Sequence, residues 1–209
     1  MHDPYLYEGT SVLINKLGIK DQDTLDEAEA DYVVLRLKEL AQNTLPGDYH
    51  TPHFFQMHNY IFQDIYDWAG QPRKIGIYKE EAILGGQSIE YSDPFDIVND
   101  TRHILAKMRE KPWHDMDIRK VAIEFCASLA ELWKVHPFRE GNTRTTVTFC
   151  CQFIDEQGVL INRKLFEDNA SYVRTALVAY NAFFSDGKDF SKKEYLERFV
   201  MDSFGVTEN

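Results

Sequence analysis

Between two stretches with helical patterning lies His136-Pro-Phe-Arg-Glu-Gly-Asn-Thr-Arg144, a short run dense in groups that move protons or bind anions. Pro137 ends the preceding helix and fixes the backbone direction, so His136 is presented at a helix end instead of along a buried face. Phe138, flanked by polar neighbours, reads as an inward plug that anchors the run. Gly141 permits backbone conformations closed to other residues, and Asn142 can cap the following helix through its side-chain oxygen. The free N–H groups of that helix start, backed by the helix dipole, suit phosphate oxygens, and Arg144 on the first turn adds a forked guanidinium. Glu140 offers a carboxylate able to hold Mg²⁺ between phosphates. Singly, each residue has an ordinary structural reading: a helix-end histidine, a pairing of Glu140 with Arg139 or Arg144, a Gly-Asn turn. Together they describe a phosphate-transfer site.

The elements that must position this run are mostly helical. Apolar residues recurring every three or four positions predict a central helix over Asp115 to Val135, through Ile118, Val121, Ala122, Phe125, Leu129 and Leu132. A second helix from Asn142 to Gln157 stops at Gly158. Earlier helices are expected over Thr24 to Asn43, opened by a Thr24 cap with Glu27, over Thr51 or Pro52 to Trp68, and from Asp93-Pro94 to Lys111. Later ones are expected near Glu167 to Phe184 and Ser191 to Phe204. The exception is Arg73 to Tyr91, where two alternating stretches flank Gly85-Gly86 and predict a β-hairpin standing outside the helical body as a flap. The fold class expected is thus all-α, a helical bundle with a small hairpin, in one domain over 1–209 with an N-terminal segment at 1–20.

Bulk properties limit the alternatives. With 209 residues and 44% hydrophobic content the chain can bury one core. No apolar run reaches the roughly 20 residues needed to span a bilayer, and the N-terminus lacks a basic-then-apolar leader pattern, so no membrane partner and a cytoplasmic location are expected. Cys126, Cys150 and Cys151 lie within apolar helical stretches and read as reduced core residues. A net charge of −11 argues against non-specific binding to nucleic acid, which needs clustered cations. His50, His53 and His58 are close in sequence, but the five-residue step from His53 to His58 does not place two ligands on one helical face.

The run from His136 resembles the motif of the Fic family, His-x-Phe-x-(Asp/Glu)-Gly-Asn-(Gly/Lys)-Arg-x-x-Arg, in His136, Phe138, Glu140, Gly141, Asn142 and Arg144, with Pro137 as the usual second residue. The resemblance extends to Asn15–Ile19 and to Tyr60–Gly70, which leads to the flap. It implies a protein adenylyltransferase with ATP as substrate and Mg²⁺ as cofactor. His136 would deprotonate a Ser, Thr or Tyr hydroxyl of a target protein, Glu140 would hold Mg²⁺, and Gly141, Asn142, Thr143 and Arg144 would seat the phosphates. The flap, through Lys79, Ser88, Ile89 and Tyr91, would dock the target backbone as an added strand. Asn169 and Tyr172 would hold the adenine.

Two positions depart from the motif. Thr143 stands where glycine or lysine is usual, its hydroxyl able to bond a phosphate oxygen, and Val147 replaces the second arginine. Arg139, Lys134 and Arg163 are the candidates to supply the missing charge. Related Doc-type kinases carry lysine at position 143, which sets that alternative against this sequence. A catalytically weak nucleotide- or protein-binding domain is the other. The family's inhibitory pattern, (Ser/Thr)-x-x-x-Glu-(Gly/Asn), is not met: Pro4, His136 and Phe204 precede Glu8-Gly9, Glu140-Gly141 and Glu208-Asn209 by four residues. A separate antitoxin-like inhibitor stays open.

Overall fold

Amphipathic spacing dominates the chain, and the computed structural model, which describes residues 3–206, is correspondingly helical. Met1, His2, Thr207, Glu208 and Asn209 lie outside the described residues, and with them the start of the N-terminal segment and the Glu208-Asn209 pair. The helices are α1 (Gln22–Gln42), α2 (Thr51–Phe62), α3 (Ile97–Glu110), α4 (Ile118–Val135), α5 (Asn142–Glu156), α6 (Arg163–Asp168), α7 (Ala170–Tyr180) and α8 (Lys193–Ser203). No helix among the described residues is long and apolar enough to cross a membrane.

α4 is the hub: α3, α5, α7 and α8 all pack against it, while α2 bridges α1, α3 and α5. Its Ala122, Leu129, Ala130, Leu132 and Trp133 are fully buried, so its sides are covered and its C-terminus is held in place. That is the end that carries His136. Cys126, Cys150 and Cys151 are unpaired and buried, and burial pushes their thiols up, to about 12 for Cys151.

Boundaries differ from expectation for identifiable reasons. α1 is capped by Asp21, whose carboxylate accepts from the Thr24 N–H and hydroxyl, so Thr24 is not the cap. α2 ends at Phe62, where the turn tightens as the Ile65 N–H donates three residues back to the Phe62 carbonyl. The stretch expected as one helix from Glu167 divides at Asn169, whose side-chain amide donates to Leu165 O and closes α6.

The hairpin expected over 73–91 does not form a strand ladder. Its tip is a 3₁₀ turn, Ala82–Leu84, followed by Gly85 and Gly86 with positive φ. The Lys79 N–H donates to the Ser88 hydroxyl, where a ladder would place a carbonyl. A lone two-stranded ribbon is marginal without a third strand, and Ile89 leaves the excursion for the core. The segment remains an extended flap.

Candidate active site

His136 is the residue after the last turn of α4 and sits in the left-handed region, φ 51° and ψ 57°, with its N–H donating to Trp133 O. For a residue with a Cβ this conformation is strained by about 1 to 2 kcal/mol. What holds it is Arg73, a residue that carries no motif signal. Arg73 is 2% exposed, and its guanidinium donates to three carbonyls, His136 O at 2.8 Å, Ile75 O at 2.7 Å and Ser92 O. Its own N–H donates to Pro137 O at 2.7 Å. One side chain thereby clamps the His136 turn to both feet of the flap.

The loop is closed from within by Asn142. Its side chain accepts from Phe138 N–H at 2.9 Å and donates to Phe138 O at 2.8 Å. The cap position of α5 belongs to Gly141, at φ 80°, so the expected capping role of Asn142 is corrected: its side-chain amide closes the loop before the helix. Gly141 is required twice, since a methyl there would lie 2.3 Å from Phe62 Cε2 and Cζ besides needing positive φ. Phe138 is the buried plug, stacked on His58 at 3.7 Å between centroids. His58 in turn accepts from Gly70 N–H and bonds Glu140 O, and burial pushes its pKa down to about 3. The other two histidines of that cluster diverge, His53 to Leu45 O and Tyr49 N–H, His50 to Arg109.

At the mouth of α5 the first-turn N–H groups have no helical carbonyl to bond. Arg144 lies over the Phe62 ring, 2.6 Å from Glu29 Oε1 and 3.8 Å from Glu140 Oε1. Glu29, on α1, also accepts from the Tyr66 hydroxyl; nothing in the sequence connects it to the motif. Glu140 accepts the Gly141 N–H through Oε1 and faces Lys79 Nζ through Oε2 at 3.4 Å. Burial alone would raise its pKa, but Lys79, the Gly141 N–H and Arg144 together hold it below the usual value. The Thr143 hydroxyl accepts from Trp133 Nε1 at 2.9 Å, which ties α5 to α4.

His136 itself is 3% exposed, and neither ring nitrogen has a partner among the described residues. Its ring lies against Tyr91, 4.1 Å between centroids, and edge-on to Trp133. Burial first, then the charges of Lys79 and Arg73, push its pKa well below the ordinary histidine value. A buried polar side chain left unsatisfied costs about 1 to 3 kcal/mol, so such a group calls for a functional explanation.

A family model for Fic/DOC proteins matches residues 48–154. The chain belongs to the Fic/DOC family. Among relatives of this Fic/DOC protein, the protein adenylyltransferase VbhT of Bartonella schoenbuchensis is 32% identical over 161 residues, 77% of this chain and 32% of VbhT. The probable protein adenylyltransferase y4lH of Sinorhizobium fredii is 36% identical over 152 residues, 71% of this chain and 73% of that protein. The chain thus spans about a third of VbhT but most of y4lH. In fold it is similar to the Bartonella tribocorum BepC protein solved with AMPPNP, with a TM-score of 0.78 and 20% identity over 95% of both chains.

The remaining expected site residues separate. Tyr172 lines an apolar groove of about 270 Å³ between α7, α8 and the flap tip, with Ile83, Leu84, Ala176, Phe190 and Tyr195. Asn169 is not on that groove, its amide being committed to Leu165 O. A neighbouring recess of about 240 Å³ shares Ile83 and Thr175 and contains Glu81 and Arg174. Arg174 grips the buried Glu81 with two bonds, 2.7 and 2.9 Å. On the flap, the side chains of Ser88 and Ile89 are buried, Ile89 within the core. None of the three cations expected to replace the second arginine reaches the site: Arg139 pairs with Asp3, Lys134 lies over Phe183, and Arg163 pairs with Asp155. Val147 packs against the core.

Proposed function

We propose that this protein transfers AMP from ATP to a hydroxyl side chain of another protein, with His136 as the base. The observation that carries the reading is the buried imidazole with two unpartnered nitrogens, on the same short loop as the Glu140 carboxylate and just before the N-terminus of α5. The names of VbhT and y4lH support the same reaction class.

A histidine held neutral is available as a base at pH 7, though its burial and its cationic neighbours make it a weak one. Negative phosphates arriving at α5 would offset Lys79, Arg73 and Arg174 and strengthen it when the substrate is in place. His136 takes the target hydroxyl proton, the oxygen bonds to the α-phosphorus, and the bond from that phosphorus to the pyrophosphate oxygen breaks. The first-turn N–H groups and Arg144 take up charge on the phosphates. The apolar groove beside Tyr172 is the place for the adenine. Tyr91 and the flap cover His136, so the flap must open for a target side chain to reach the ring.

Glu140 fits a Mg²⁺ role: its carboxylate is ionised, partly exposed and faces the anion seat, and Mg²⁺ commonly uses one or two carboxylates plus substrate phosphates. When bound, the ion would neutralise phosphate charge and orient the leaving group. The test is intact-mass spectrometry after incubation with ATP and Mg²⁺, alone and in cell lysate, against His136→Ala. One AMP adduct absent from the variant is expected. A single-phosphate adduct would instead establish a kinase, and no adduct in any lysate would remove the transfer reading.

A further inference from the structure

The family's second arginine is Val147 here, and its half-buried side chain packs against the core. Arg139, Lys134 and Arg163 are engaged elsewhere. Two other cations stand near the anion seat, both outside the motif. Arg174 is held by a bidentate bond to Glu81, whose side chain is only 5% exposed, so moving it would strand a buried carboxylate. Lys79 differs in every respect. It stands on a segment with no strand ladder, on a flexible four-carbon stem, and its contact with Glu140 Oε2 is a loose 3.4 Å. Arg144 approaches the other oxygen of the same carboxylate at 3.8 Å, so Lys79, Glu140 and Arg144 surround the mouth of α5.

We propose that Lys79 supplies the charge for the β- and γ-phosphates that position 147 lacks, resting on Glu140 in the nucleotide-free protein and turning to the phosphates when nucleotide enters. An exchange of one partly exposed ion pair for another costs little, because such pairs are weak. A contact to the doubly charged end of a nucleotide is the stronger alternative. The inference rests on the anion seat of the proposed function and adds to it a phosphate-binding role for a flap residue.

The experiment is calorimetric titration of the wild-type protein, Lys79→Ala and Lys79→Arg with AMP, ADP and AMPPNP, in the presence of Mg²⁺. Lys79→Ala is expected to leave AMP affinity within about twofold and to weaken ADP and AMPPNP about tenfold, the effect of one charge-assisted contact at a partly exposed site. Lys79→Arg should restore most of the loss. Equal weakening of all three nucleotides, or of none, would overturn the role of Lys79 while leaving the anion seat intact. Failure of the wild-type protein to bind any nucleotide would overturn both.

Discussion

Arg73→Met is the most informative single change outside the motif. It removes three side-chain hydrogen bonds, to His136, Ile75 and Ser92, and keeps the backbone bond to Pro137. The His136 carbonyl loses its donor in a buried setting, at about 1 to 3 kcal/mol, while the other two carbonyls, partly buried, can recover some of their loss from water. Against this, methionine relieves the burial of a guanidinium that touches no carboxylate among the described residues, a burden visible in its lowered pKa. The net loss should be about 3 kcal/mol, which for a chain of this size lowers Tm by roughly 6 to 12 °C. Freed of the clamp, His136 should leave its left-handed turn, and AMP transfer should fall more than about a hundredfold, the usual cost of misplacing a reacting group. Arg73→Lys separates geometry from charge, since one ammonium cannot reach three divergent carbonyls, and it should resemble the methionine variant. The assays are thermal melting by circular dichroism and transfer followed by mass spectrometry. A Tm within 2 °C of wild type together with unchanged transfer would refute the clamp.

Stability should fall with acidification below pH 6.5. His58 is neutral in the fold with a pKa of about 3 against 6.5 unfolded, so the unfolded chain binds the extra proton. The loss from His58 alone is about 1.4 kcal/mol per pH unit between those values, read as a falling urea midpoint, and His58→Gln should flatten that slope. Gly141→Ala should cost more than about 2 kcal/mol through the Phe62 contact and the positive φ, seen as a lower Tm even though the new side chain is a single methyl. Thr143→Val keeps the shape but orphans Trp133 Nε1, so it should lower stability by about 1 to 3 kcal/mol in urea unfolding while leaving nucleotide affinity unchanged. A loss of affinity would return the Thr143 hydroxyl to the phosphates.

The helical fold and the reactive run were legible because they are local. The three-to-four spacing of α4, Pro137 after its end and Gly141 before α5 all act within a few residues. What the sequence hid is tertiary. Arg73 clamps carbonyls whose identity depends on where the chain returns, and Glu29 meets Arg144 from 115 residues away. The alternation over 73–91 implied strands, but alternation only reports which side chains turn inward. Whether a ladder forms depends on a partner for the backbone, and here Ser88 and the tip glycines remove it. Asn142 stands in the expected loop but closes the turn before α5 instead of capping it, since an asparagine at a helix start can do either.

Residues 48–154 suffice to recognise the family, but the site is not contained in them. Arg139 is fixed by Asp3, Arg144 by Glu29, and Glu81 by Arg174, while α7 and α8 cover two sides of α4. A truncation at the recognisable limits would cut through the core and release two ionic ties that aim the loop and one that holds the flap. Chimeras that exchange only this window between relatives would transplant the reactive loop without its supports. The contacts that fix the loop and the flap reach from Asp3 to Arg174, beyond that window on both sides.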